Sequence, residues 1–177
     1  GAVNVSNIPH PNATSLNWTV TGFNEGYHRW NVTCMDDSGN INTSATRLFT
    51  IDRTPPLTQL NYPVNTANIS SFSVNFNWTS TDTYDPSMNC SLVVDSSVNA
   101  TGIASTNNTA KNYSVTGFTE GYHSWNVSCT DDSGNSNSSS QRTFLIYRTA
   151  PLVVQNWPVD LYNTTSASID FNWTSQD

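Results

Sequence analysis

The sequence predicts an all-β chain of tandem antiparallel β-sandwiches, with about 95 residues in each unit. Three observations predict it: an internal repeat at fixed offset, period-two alternation of apolar and polar residues, and turn signals between the alternating runs. Residues 1–82 align with residues 96–177 at a constant offset of 95 without a gap, and 44 of the 82 aligned positions are identical. The block from Val20 to Cys34 returns as Val115 to Cys129. A period this long exceeds that of solenoid repeats and matches a whole small domain.

The strands follow from the alternation. Phe72, Val74, Phe76 and Trp78 alternate with Ser73, Asn75, Asn77 and Thr79. Cys90, Leu92 and Val94 form a second inward set, and Trp125, Val127 and Cys129 a third. Such runs are half-buried strands with one face on a core. Asp36-Asp37-Ser38-Gly39-Asn40 and its repeat Asp131-Asp132-Ser133-Gly134-Asn135 are dense turn signals joining two strands. Thr54-Pro55-Pro56 and Thr149-Ala150-Pro151 follow strands ending at Ile51 and Ile146. Proline ends sheet pairing and stiffens a linker, so these segments serve as unit boundaries. Residues 54–148 then form one complete unit of about seven short strands, residues 1–53 the later strands of a preceding unit, and residues 149–177 the first two strands of a following one.

Composition narrows the function. Asn, Ser and Thr contribute 24 residues each, charged residues are only 11%, and the net charge is −7. Nothing resembles the basic footprint that nucleic acid requires. Regularly spaced aromatics argue against disorder, and no apolar run reaches membrane-span length.

Asn-x-Ser/Thr acceptor sites occur at Asn4, Asn12, Asn17, Asn31, Asn42, Asn68, Asn77, Asn89, Asn99, Asn107, Asn112, Asn126, Asn137, Asn163 and Asn172. Chance pairing of 24 Asn with 48 Ser and Thr among 177 residues accounts for about 6 such sites, fewer than half of the 15 present. The Asn and the Ser/Thr of a site lie two apart and share one strand face. In Asn77-Trp78-Thr79, Asn89-Cys90-Ser91, Asn112-Tyr113-Ser114 and Asn126-Val127-Ser128 the middle residue is the inward one, so the acceptor points to water. The expectation is a heavily N-glycosylated, extracellular chain.

The run Gly121-Tyr122-His123-Ser124-Trp125-Asn126-Val127-Ser128-Cys129 through Asn135, then Arg142 to Ile146, then Thr149-Ala150-Pro151, resembles the immunoglobulin-like repeats of bacterial and archaeal cell-surface proteins. The Cys90-Ser91-Leu92 strand is similar to the same pattern. The resemblance covers the whole chain and implies an immunoglobulin-like sandwich; such repeats serve in stalks, surface layers, filaments and adhesins alike. It transfers no catalytic residue.

Cys34 and Cys129 are repeat equivalents, and Cys90 has its own equivalent outside the 177 residues. The arithmetic pairs Cys90 with Cys129, both inward on neighbouring strands, in a disulfide that stabilises the unit by about 3–4 kcal/mol. Cys34 then takes a partner from residues outside these or from another chain. The core is expected to gather Trp78, Trp125, Phe72, Val74, Phe76, Leu92, Val127, Phe144 and Ile146.

Other chemistry is weaker. Asp36/Asp37 and Asp131/Asp132 have the groups to hold Ca²⁺, but without EF-hand spacing or its closing Glu they read as aspartates capping their own turn. His28 and His123 stand without a second ligand at metal spacing and read as packed strand histidines. No Gly-x-Ser-x-Gly elbow is present. Trp30, Trp78, Trp125 and Trp173 fall on the inward phase, against an exposed sugar-binding platform, while Tyr62 and Trp157 beside the prolines are placed to pack between units. The sequence therefore predicts no enzyme, no catalytic residue, no cofactor and no metal site.

The leading expectation is a structural subunit of an extracellular filament, stalk or surface coat; an adhesin using the repeats as a spacer is the alternative. Residues 149–177 and 1–53 each carry an apolar face with no second sheet to cover it. Two solutions cover them: the pieces are cuts from one continuous array, or 149–177 pack against 1–53 of an adjacent identical copy by strand addition, the expected one; head-to-tail contact of either kind propagates without closing.

Overall fold

The computed structural model describes residues 5–177. It contains fifteen strands and no helix among the described residues. The first four are β1 (Gly26–Trp30), β2 (Thr33–Met35), β3 (Ile41–Thr43) and β4 (Arg47–Ile51). Next come β5 (Leu57–Tyr62), β6 (Ala67–Ile69), β7 (Ser73–Thr81), β8 (Ser87–Val94) and β9 (Ser97–Thr106). The rest are β10 (Thr109–Thr116), β11 (Gly121–Thr130), β12 (Ser136–Ser138), β13 (Arg142–Ile146), β14 (Leu152–Trp157) and β15 (Asn172–Gln176).

Strands β5 to β13 build a β-sandwich. One sheet has the order β10-β7-β5; the other runs β6-β13-β11-β8-β9, with β12 also on β11. All pairings are antiparallel except β6 on β13. The edge of β11 is used twice, by β13 over Gly121–Trp125 and by β12 over Ser128–Thr130. Ser139 bridges the break, its N–H donating to Val127 O at 2.9 Å while its Oγ accepts from Val127 N–H at 3.1 Å. Backbone groups at a strand interruption are thus satisfied by a side chain short enough to reach them.

Alternation decides what fills the interior. Val74, Phe76 and Trp78 of β7 face Leu92, Trp125, Val127, Phe144 and Ile146 of the opposite sheet, and none is more than 1% exposed. Phe76 touches Trp125 and Phe144 at ring-centroid distances of 4.9 and 5.9 Å, tilted and edge-on as aromatic quadrupoles prefer. Each ring so buried contributes about 2–3 kcal/mol. Phe72 does not join them. The strand starts one residue later, and Phe72 lies outside the facing sheet with its ring under the Arg148 guanidinium at 4.4 Å. The unit also holds nine strands, not seven; β6, β9 and β12 are the ones with the weakest alternation.

The flanking segments reproduce the same pairings. Gly26 to Trp30 of β1 pair with Ile51 to Arg47 of β4 in the register that Gly121 to Trp125 keep with Ile146 to Arg142. Thr33–Thr43 matches Ser128–Ser138, and Leu152–Gln176 matches Leu57–Thr81 with an irregularity at the equivalent place. Among the described residues neither has a facing sheet. Trp30 and Trp173, expected inward, are therefore 49% and 64% exposed, whereas their equivalents Trp125 and Trp78 are wholly buried. Phe171, equivalent to the buried Phe76, is exposed as well.

Candidate functional site

The predicted acceptor asparagines divide by environment. Asn12, Asn17, Asn31, Asn42, Asn68, Asn89, Asn99, Asn112, Asn137, Asn163 and Asn172 are exposed, Asn77, Asn107 and Asn126 are half-buried, and Asn4 lies outside the described residues. On β7, β8 and β11 the middle residues of the acceptor motifs, Trp78, Cys90 and Val127, are fully buried, which turns the neighbouring asparagine outward. Asn77 and Asn112 are direct cross-strand partners, and the Asn77 amide donates to Asn112 Oδ1 at 2.6 Å. Asn61 donates to Asn77 Oδ1 at 2.7 Å, extending a row of amides over the outer face of the three-stranded sheet.

Asn107 stands apart. Its Nδ2 donates to Asp82 O at 2.7 Å and Asp85 O at 2.8 Å, while Oδ1 accepts from Asp82 N–H at 3.1 Å. Both amide hydrogens are spent holding the turn between β7 and β8. Sugar attachment replaces one of them, so this asparagine is a clasp for the loop in the folded chain.

The disulfide joins Cys90 and Cys129, which are directly paired on β8 and β11 with Cα atoms 4.1 Å apart. Thr58 donates to Cys129 Sγ at 3.3 Å, and the Ser80 hydroxyl lies 3.2 Å from the same sulfur. Cys34, the repeat equivalent of Cys129, is a free, exposed thiol.

Each Asp-Asp turn caps itself. Asp36 Oδ1 accepts from the backbone N–H of Ser38 and Asn40 at 2.9 Å, and Oδ2 from Asn40 Nδ2 at 2.8 Å. Those donors, the Asn40 amide foremost, hold the Asp36 carboxyl below its ordinary range. Asp131 repeats the arrangement with Asn135 at 2.7 and 2.8 Å. Gly39 and Gly134, at φ of 85° and 90°, allow the chain to close these turns. The Asp36 and Asp131 carboxylates are engaged by their own loops.

His123 packs between Phe118 and Phe144, with ring centroids at 5.0 and 5.4 Å. Its Nδ1 lies 2.7 Å from Asp95 Oδ2 and its Nε2 3.0 Å from Thr119 O. Neither partner can donate, so the ring is fully matched only as the imidazolium, donating from both nitrogens. Burial opposes that charge, but the bond to Asp95, the bond to Thr119 and the Asp95 charge together outweigh it and raise the pKa above 6.5. No ring nitrogen is left to act as a base. His28 repeats the packing, against Phe23 and Phe49, with Nε2 2.8 Å from Asn24 O.

Between β4 and β5 the flanking segment touches the sandwich. Tyr27 meets Tyr84 edge-on at 5.5 Å, and Asn135 Nδ2 donates to Asp52 O at 3.3 Å. Thr54 donates to Glu25 across the exit of β4, as Thr149 does to Glu120 across the exit of β13. Tyr62 and Trp157 do not make the contact between units: both are partly exposed, and Trp157 packs on Tyr162 of its own segment at 4.5 Å. The same junction gathers Asp52, Asp82 and Asp85, one carboxylate oxygen of each lying within 4.8 Å of the others. Sequence reasoning passed over this group because Asp52 stands thirty residues from Asp82 and no local spacing links them.

No protein-family model matches the chain, and no curated protein matches it. Among solved structures, the fibronectin(III)-like modules of Clostridium thermocellum CbhA align with a TM-score of 0.41 and 16% sequence identity, over 51% of this chain and 96% of that one.

Proposed function

We propose that the chain is a non-catalytic structural part of a heavily N-glycosylated extracellular filament, stalk or surface coat, built from immunoglobulin-like repeats joined head to tail. The observation that carries this reading is the recurrence, at 95 residues, of sequence and strand register together. An array of near-copies builds length and presents a repeated surface. The acceptor asparagines supply that surface with carbohydrate, which suits a chain only 11% charged. The buried disulfide suits an oxidising compartment.

The uncovered faces support the assembly part of this reading. Phe171 and Trp173 correspond to Phe76 and Trp78, while Trp30 and Phe49 correspond to Trp125 and Phe144, and within the sandwich those sets pack on each other. The surface that fits each exposed set is therefore the complementary set of a neighbouring repeat, on the same or another chain. Electron microscopy of the native glycoprotein, with mass measurement before and after removal of N-glycans, tests both parts. Extended particles with a periodic unit and a mass loss spread over many asparagines are expected; compact unglycosylated particles would overturn the reading.

A further inference from the structure

Two acceptor asparagines stand face to face on the three-stranded sheet. Asn77 of β7 and Asn112 of β10 are direct cross-strand partners. Both begin an acceptor motif, Asn77-Trp78-Thr79 and Asn112-Tyr113-Ser114. Among the strand pairs of the described residues, no other register sets two acceptors opposite each other. Partners so placed hold their Cβ atoms about 4.5–5.5 Å apart on one face of the sheet. With strands spaced about 4.8 Å apart, a sugar on each would compete for the width of one strand.

Topology and hydrogen bonding favour the same member of the pair. Strand β7 is the middle of the order β10-β7-β5, so Asn77 has a neighbour on each side; β10 is an edge, so Asn112 has one. Asn77 is half-buried and Asn112 is exposed. Asn61 Nδ2 donates to Asn77 Oδ1 at 2.7 Å, and Asn77 Nδ2 donates to Asn112 Oδ1 at 2.6 Å. Asn75 Nδ2 adds a longer bond to Asn112 Oδ1 at 3.3 Å. The Asn77 amide is thus held at its oxygen from β5 and at its nitrogen from β10. The Asn112 amide is held by its oxygen alone, and its Nδ2 has no hydrogen-bond partner among the described residues. In a planar amide, anchoring Oδ1 toward β7 turns Nδ2 away from it. The hold on the central asparagine belongs to the repeat, since Asn156 Nδ2 donates to Asn172 Oδ1 at 2.9 Å, 95 residues on.

Building on the reading of the chain as a glycoprotein, we infer that Asn112 takes the carbohydrate of this pair and that its sugar keeps Asn77 bare. The bond formed joins Asn112 Nδ2 to the anomeric carbon of a glycosyl donor carried on a pyrophosphate. Nδ2 gives up one proton and keeps one hydrogen, and the pyrophosphate leaves with the electron pair of the bond it loses. No hydrogen of Asn112 Nδ2 is engaged, so the substitution breaks no bond in the fold. On Asn77 the same substitution sets a sugar between Asn61 and Asn112, where a sugar on Asn112 already stands. Carbohydrate added before folding meets the same contest when β10 closes on β7.

Glycopeptide mass spectrometry of the native protein reads the pair directly, and occupancy at Asn112 should exceed that at Asn77 roughly tenfold or more. Two variants, produced in the same glycosylating cells as the parent, separate the contest from the Asn77 motif itself. N112A removes the rival acceptor together with its amide; S114A removes the motif and leaves the Asn112 amide in place. Asn77 should gain sugar roughly fivefold or more in both, with occupancy at Asn89 on the opposite sheet unchanged. Asn77 still bare in both variants would overturn the proposal, because its own motif and not its partner would then withhold the sugar. Asn77 occupied in the parent, alone or together with Asn112, would also overturn it, while sugar on the other acceptors left the glycoprotein reading standing. Carbohydrate absent from every acceptor would overturn both.

Discussion

Replacing both Cys90 and Cys129 by alanine removes a bridge that spans 39 residues of chain. In the loop-closure account, opening a loop of that size gives the unfolded chain about 13 cal/mol/K, or about 4 kcal/mol at 25 °C. Loss of the two buried sulfurs adds about 1 kcal/mol of packing. Thr58 and Ser80, which lie against Cys129 Sγ, remain bonded to each other at 2.9 Å, so no hydroxyl is orphaned. A unit of 95 residues has a total stability of about 5–14 kcal/mol. The double variant thus forfeits between a third and all of it. Urea unfolding followed by tryptophan fluorescence reads the change, since Trp78 and Trp125 are both fully buried. With a slope of about 2 kcal/mol/M, the midpoint should fall by about 2.5 M, or the variant should be unfolded without urea. A fall of less than about 0.5 M would refute the reasoning, because the bridge would then not be restricting the unfolded chain.

The His123–Asp95 pair carries a pH signature. A histidine pKa raised above 6.5 on folding contributes stability that is complete below about pH 6.5 and is lost as pH rises through the folded value. D95N keeps an oxygen for the Ser124 N–H, now 2.8 Å from Asp95 Oδ1, but removes the charge. The His123 titration midpoint by NMR should drop in D95N and the decline of stability above pH 6.5 should flatten; an unmoved midpoint would exclude the pairing. Asn107 should remain free of carbohydrate in the native protein while Asn89, Asn99 and Asn112 carry it, as read by glycopeptide mass spectrometry. Full occupancy at Asn107 would mean that the clasp on Asp82 and Asp85 does not form.

Strands whose inward residues are large were legible in the sequence, and those without them were not. Val74, Phe76 and Trp78 announce β7 because three apolar residues at period two have one physical use, a face against another sheet. Phe72 continues the same alternation and yet is outside, because periodicity marks a face without marking where the opposing sheet stops. Strand β12, Ser136–Ser138, contains no apolar residue; it exists because β11 offers an edge and Ser139 bridges the interruption. Strand β9 contributes Ile103 to the core from a run of small polar residues that pairs with β8 through two register shifts. Pairing of this kind is dictated by a neighbour rather than by the strand's own pattern.

The junction was illegible for another reason, and the repeat explains it. Comparing units by their identities drew attention to the Asp-Asp turns, which recur at 95 residues and prove to cap themselves. The informative position is one where the units differ. Asp52 and Tyr147 occupy the same place beside Asp82 and Asp177, and exchanging a hydroxyl donor for a carboxylate turns a satisfied hydrogen bond into a cluster of acceptors. The exchanged position thus changes what meets at that place, a hydroxyl donor in one unit and a carboxylate in the other. Shared positions account for the fold of each unit, whereas the exchanged one is visible only once the fold brings residues 52 and 82 together.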